Sequence, residues 1–190
     1  MQSDDGLACS FPRLAVHIIV MLASLGAAAA ASADAAARTP AAPVGAVMAA
    51  LATFQDAGAL PPEHSPEASR LIKGLIQFQG AFMKSDAPAV RQLLAEAAPG
   101  DADRFRTDGW SSRTMEAVID YAERHDIWTD RAVIDGFGAF NVGADDFTLL
   151  ARTFRSAKER LAGTGRDIHT VYAARRATMP GARTNDSPER

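Results

Sequence analysis

Cysteine is almost missing from this sequence, since Cys9 is the only one among 190 residues. It precedes an uncharged, mostly apolar run that extends from residue 14 to residue 33. We interpret this run as a targeting segment, so the processed chain contains no thiol. Disulfide bonds and thiol catalysis are therefore excluded for the processed protein.

A strong overall charge is also missing, because the formal net charge at pH 7 is only −3. This balance gives no indication of general affinity for nucleic acid or for an anionic surface. The charges are nevertheless uneven along the chain. Residues 34–149 hold ten Lys or Arg and seventeen Asp or Glu, whereas residues 150–190 hold nine and four. The end of the chain is therefore basic and the part before it acidic.

Motifs that identify an enzyme or a metalloprotein are absent from the sequence. It has no HExxH zinc pair, no CxxCH haem-attachment string and no GxSxG nucleophile elbow. The histidines that follow the apolar run, His64, His125 and His169, are dispersed. Two glycines, Gly136 and Gly138, superficially resemble a dinucleotide fingerprint, but the third glycine and the preceding strand are missing. We therefore predict no catalytic residue, no metal site and no cofactor, and close helix packing or a hinge at the glycines.

The N-terminal 33 residues are predicted to be an export signal. Arg13 precedes the apolar run, and residues 31–33 (Ala-Ser-Ala) have the small side chains typical of a signal-peptidase site. Residues 34–43 then form a short tether. Two alternatives stay open, since a run of this length can span a bilayer uncleaved and translation can start at Met21. The predicted location is periplasmic or secreted, or membrane-anchored where the signal is retained.

The rest of the chain has the periodicity of helices and no alternating strand pattern. The clearest helix covers residues 65–84, where a Ser-Pro-Glu start signal precedes a broad apolar face. Further helices are predicted at residues 44–57, 87–98, 112–125, 129–140 (with Thr129 as its cap), 144–162 and 167–178, with one or two helical turns at 101–107. The prediction is an all-α, single compact bundle-like domain of six or seven helices over residues 44–179, with a disordered tail at 180–190.

Gln79 is the most informative polar residue, because it falls inside the apolar face of the 65–84 helix. A buried amide needs hydrogen-bond partners, since an unpaired one costs about 1–3 kcal/mol. One interpretation is a structural hydrogen bond to a neighbouring helix end or loop. The other is a polar group in a ligand pocket between helices. In that case the predicted ligand-binding residues are Gln79, Phe82, Phe137 and Phe140.

The basic end of the chain also has two interpretations. Helices of opposite charge can pack side by side with solvated faces, or the cations can form one surface for an anion or a partner. Aromatic residues do not alternate with these cations on exposed positions, which disfavours a nucleic-acid platform. The predicted anion or partner surface consists of Arg152, Arg155, Lys158, Arg166, Arg175 and Arg176.

No specific resemblance to a known family is present in these motifs. The expected function is that of a small, exported, non-catalytic binding module that contacts an envelope protein or another exported partner. The alternative is a carrier of a small ligand, metal or haem in a pocket between helices. Contact with a membrane is expected only through an uncleaved N-terminal segment, and the sequence does not determine the oligomeric state.

Overall fold

The computed structural model describes residues 41–181, and eight α-helices with one 3₁₀ turn form the fold within this range. No strand occurs among these residues, so the predicted all-α class is confirmed. The helices are α1 (Ala41–Asp56), α2 (Pro66–Lys84), α3 (Pro88–Ala97), α4 (Ala102–Asp108), α5 (Ser112–His125), α6 (Arg131–Gly138), α7 (Ala144–Gly163) and α8 (Ile168–Ala177), with the 3₁₀ turn at Ile127–Thr129.

The predicted export signal and most of the predicted tether and tail lie outside the described residues. Helix α1 begins at Ala41, three residues before the predicted start. The described part of the chain has eight helices, whereas six or seven were predicted. The additional helix is α4, which the sequence indicated only as one or two helical turns. Within residues 41–181, no helix combines the length and the apolar character needed to cross a bilayer.

Helix α2 is the centre of the domain, as its broad apolar face predicted. The Ser65 hydroxyl accepts a hydrogen bond from the Ala68 amide at 3.0 Å, and Pro66 occupies the first turn. The buried face includes Leu71, Leu75 and Phe78, and it packs against α1, α3, α4, α6 and α7. An arc wide enough to contact several neighbours is what places this helix in the middle.

The cap of α6 differs from the prediction. Asp130, and not Thr129, accepts the hydrogen bond from the Ala132 amide, at 2.8 Å. Thr129 belongs to the 3₁₀ turn instead, where its hydroxyl donates to the Asp126 carbonyl at 2.8 Å. A carboxylate is at least as good a cap as a threonine, and it also suits the positive end of the helix dipole.

Gly136 confirms the close helix packing that was predicted for the glycine pair. A methyl group at this position would lie 2.7 Å from Cγ2 of Val90 and 3.1 Å from Cβ of Ala87, so α6 and α3 approach closely here. Gly138 is different, because a methyl group there would meet no atom within 4 Å. Only the first glycine of the pair is therefore required by packing.

Candidate functional site

Both polar atoms of the Gln79 amide form structural hydrogen bonds. Its Nε2 donates to the Pro43 carbonyl of α1 at 2.9 Å, and its Oε1 accepts from the Trp110 amide at 3.0 Å. The Trp110 carbonyl in turn accepts from the Tyr172 hydroxyl of α8 at 2.5 Å. Gln79 thus ties together α1, α2 and the α4–α5 loop, as the structural interpretation of its buried position predicted.

The other predicted ligand-binding residues do not share one pocket. Phe82 and Phe137 are buried and contact each other edge to face, with 5.3 Å between ring centroids. Phe140 is only partly buried, and it lines a cleft of about 380 Å³ between the end of α2 and α6. Neither Gln79 nor the two buried rings line that cleft. The structure therefore separates Phe140 from the other three residues.

The predicted cationic surface is divided among several partners. On α7, Arg155 pairs with Asp120 and Glu123 of α5, and Lys158 pairs with Glu116. Arg152 lies 3.5 Å from Glu67 of α2. On α8, Arg175 forms two hydrogen bonds with Asp56, and Arg176 donates to the Ala42 carbonyl. Arg166 is exposed at the turn before α8. The basic end of the chain therefore neutralises acidic helices beside it, which fits the side-by-side interpretation.

A chain of hydrogen bonds joins α5, α7 and α8 through a histidine. His169 Nδ1 lies 3.0 Å from the Ser112 hydroxyl, and His169 Nε2 lies 3.0 Å from the carboxylate of Glu116, which Lys158 also contacts. Serine hydrolases also join serine, histidine and carboxylate, but there Nε2 faces the serine and Nδ1 the carboxylate, the reverse of the arrangement at His169. Ser112 is buried, however, and it lines neither of the two clefts described here. We therefore interpret the chain as a structural tie.

The pKa of Glu116 makes this tie sensitive to acid. Burial alone would raise that pKa, but the hydrogen bond from Lys158 and the charges of Lys158 and His169 outweigh burial and lower the pKa below its ordinary value of 4.5. A carboxyl group with a lowered pKa in the folded state contributes stability above its unfolded pKa and loses it as the pH falls through the folded pKa.

We therefore expect Glu116→Gln to flatten the decline of stability with pH below about pH 4.5. Urea unfolding midpoints measured between pH 3 and pH 6 test this. Glu159→Gln is the matched control, because it removes an exposed carboxylate from α7 without touching His169. If stability changes with pH at the same rate in Glu116→Gln, in the control and in the unchanged protein, Glu116 does not stabilise the fold through its charge.

A cleft of about 560 Å³ lies between α5 and α7. Arg155 reaches Glu123 and Asp120 of α5, while Lys158, one turn further along α7, reaches Glu116, earlier in α5. The two helices therefore run antiparallel. We call this opening the α5–α7 cleft, which is lined by Ala122, Glu123, Asp126, Trp128, Phe147, Thr148, Ala151, Arg152, Arg155, Ser156 and Glu159.

The floor of the α5–α7 cleft is apolar and partly aromatic. It is formed by Ala122, Phe147, Ala151 and Trp128, of which the first three are buried and Trp128 is partly exposed. Trp128 is held from behind by ring contacts with Phe137, at 5.5 Å between centroids, and with Phe147, at 5.7 Å. Packing against these two rings makes the Trp128 part of the floor rigid.

Trp128 also has an unused donor. Its indole Nε1 is shielded from solvent and has no hydrogen-bond partner among the residues that the structure describes. A buried N–H without a partner costs about 1–3 kcal/mol. A cleft of this volume with apolar and charged lining residues has the character of a binding site.

Carboxylates outnumber guanidinium groups around the α5–α7 cleft. Glu123, Asp126 and Glu159 line it together with Arg152 and Arg155. The two arginines already contact further carboxylates, Glu67 and Asp120, outside the lining. No group of three or more metal-ligating side chains occurs within residues 41–181. The rim thus has a negative excess of charge, and two of the six basic residues predicted as a partner surface, Arg152 and Arg155, belong to it.

The sequence alone did not indicate this cleft. Its floor combines alanines that are ordinary helix residues with a tryptophan from the turn between α5 and α6. The usable signal was the pair of positions Thr148 and Arg152 on α7, one helical turn apart beside the buried stripe, but solvated helix faces have the same pattern.

Comparison of the chain with protein-family models, with curated proteins and with solved structures finds no match.

Proposed function

We propose that this protein is an exported, non-catalytic binding module, and that the α5–α7 cleft holds a segment of a partner protein. The observation that carries the proposal is the combination of an apolar, aromatic floor and a charged rim in a cleft of about 560 Å³. Protein interfaces have this anatomy, with aromatic anchors in the centre and polar groups around them.

The export part of the proposal has separate support. An apolar run of about 20 residues ends in Ala-Ser-Ala before Asp34, which is the sequence pattern of a cleaved signal. The intact mass of protein recovered from the exported fraction tests it directly. A mass that corresponds to residues 34–190 supports cleavage, and the full-length mass in membranes identifies an anchor.

The cleft is preferred over the basic surface because two of its carboxylates, Asp126 and Glu159, have no ion-pair partner among the described residues. Most of the basic side chains already contact carboxylates or carbonyl groups of this chain, so binding an anion there would break ion pairs. In the floor of the cleft, Trp128 is partly exposed, and binding would remove its apolar surface from water. Burial of apolar surface stabilises a complex by about 25 cal/mol per Å² before the costs of association.

A photo-crosslinking residue at Thr148 tests the binding function in the producing cell. Thr107 of α4 is the matched control, because both threonines are exposed and both donate a hydrogen bond to a carbonyl of their own helix. We expect one protein to be crosslinked from position 148 and not from position 107. The captured protein, identified by mass spectrometry and purified, should bind at least tenfold more weakly to Ser156→Trp, which fills the cleft, than to Thr107→Trp.

Several results would contradict the proposal. Crosslinks of equal yield from both positions would show that the cleft has no special role. A crosslink to a second copy of this chain would identify a self-association surface instead. A small molecule that stays bound in native mass spectrometry, and that Ser156→Trp displaces, would favour the carrier function.

A further inference from the structure

We infer that the segment which occupies the α5–α7 cleft is a basic amphipathic helix of about three turns, an inference that rests on the proposed function. The length follows from α7, whose cleft residues extend from Phe147 to Glu159. At a rise of about 1.5 Å per residue, this face is about 18 Å long, which matches three helical turns. An extended peptide of that length would need only about five residues.

The walls of the cleft favour a helix over an extended strand. Both walls are helical, and no unpaired strand edge exists among residues 41–181 to which a peptide strand could be added. Each of the two helices contributes a residue with a small side chain to the lining, Ala122 on α5 and Ala151 on α7. Small residues at a contact allow a third helix to approach two others closely and to place its apolar side chains between them.

The charged residues that line the cleft indicate the charge of the partner helix. Arg155 lies between two carboxylates, and Arg152 lies near Glu67, so neither guanidinium group is free for an acidic partner. Asp126 and Glu159 have no ion-pair partner among the described residues. Lys or Arg side chains of a partner would find these carboxylates at the rim.

Trp128 adds a second preference for a cation. The face of an indole ring attracts an ammonium or guanidinium group within about 6 Å of the ring centre. Trp128 lines the cleft together with Asp126, which lies two residues earlier in the chain. A lysine or arginine of the docked helix can therefore contact the indole and a carboxylate at once, while a leucine or phenylalanine one turn away covers the floor.

Three synthetic peptides of 14 residues test the inference by fluorescence anisotropy with the exported protein. The first has a leucine stripe and a lysine face, the second has the same stripe with glutamate, and the third has the lysine face with serine in place of leucine. We expect the first peptide to bind at least tenfold more tightly than either of the others. Its affinity should fall as the salt concentration rises.

A charge reversal identifies the site of binding. Glu159→Lys should weaken the first peptide about fivefold and strengthen the second. Asp103→Lys makes the same change of charge on α4, which does not line the cleft, and should leave both affinities unchanged. Equal binding of the acidic and basic peptides, binding of neither, or equal effects of the two variants would overturn the inference. The proposed function fails separately, through the absence of a crosslink at position 148.

Discussion

Replacement of Phe137 by alanine is expected to lower the free energy of unfolding by about 3–5 kcal/mol. Its side chain is buried, and it contacts the rings of Phe78, Phe82 and Trp128 with 5.4, 5.3 and 5.5 Å between centroids. The change removes a large apolar side chain and leaves a cavity that helices α2 and α6 cannot fill without moving. Urea unfolding followed by circular dichroism measures the loss.

Phe140→Ala is the matched control for this prediction. Phe140 lies three residues further along, is partly exposed, and makes no contact with another aromatic ring in the described part of the chain. We expect Phe140→Ala to lower the free energy of unfolding by about 1 kcal/mol or less, because the Phe140 side chain is only partly buried. Equal losses for the two variants would mean that the aromatic cluster does not stabilise the domain more than a surface ring does.

Phe137 also connects the core to the α5–α7 cleft. Phe137 supports the tryptophan that forms the wall of the cleft, so its loss frees the Trp128 ring to move. A wall with several positions binds a partner more weakly, because ordering the ring on binding costs entropy. The rigidity of the cleft is therefore a property of the core behind it as much as of its own lining.

Most of the fold could be predicted because its signals are local. Apolar spacing within α2 and α7 and side-chain caps such as Ser65 and Ser111 act over three or four residues, which a sequence displays directly. The burial of Gln79 followed from the same spacing. Its partners did not, since Pro43 and Trp110 are 36 and 31 residues away and only the packing of α1 and the α4–α5 loop brings them together.

The candidate site was beyond prediction for a different reason. The sequence displays the sign of each charge but not which charges face each other. The basic stretch from residue 150 onward was compatible with one surface or with side-by-side packing, and the structure shows Lys158 and Arg155 in contact with α5 and Arg175 with α1. Nothing local marks Ala122 and Ala151 as the floor of a cleft, because alanine is common on every face of a helix. The cleft exists only where two distant helices diverge around a tryptophan.

Gly109→Ala is expected to be about as destabilising as the loss of Phe137, although it adds a methyl group and removes nothing. Gly109 has φ 77° and ψ −156°, a conformation that is essentially restricted to glycine and costs other residues about 1–3 kcal/mol. The added methyl group would also lie 2.5 Å from Oε1 of Gln79 and 3.0 Å from Cα of Pro43. Relief of that contact requires Gln79 to give up the Trp110 amide, which leaves buried groups unpaired at a cost of about 1–3 kcal/mol.

Two further glycines separate these contributions. Gly100 has φ 91° but no atom within 4 Å of an added methyl group, so Gly100→Ala should show the backbone strain alone, about 1–2 kcal/mol. Gly138 has neither restriction, and Gly138→Ala should stabilise α6 by about 0.5 kcal/mol. Thermal and urea unfolding of the three variants give the comparison. If Gly109→Ala loses no more stability than Gly100→Ala, then the hydrogen bonds of Gln79 adapt to the methyl group and do not hold α1 to the centre of the domain.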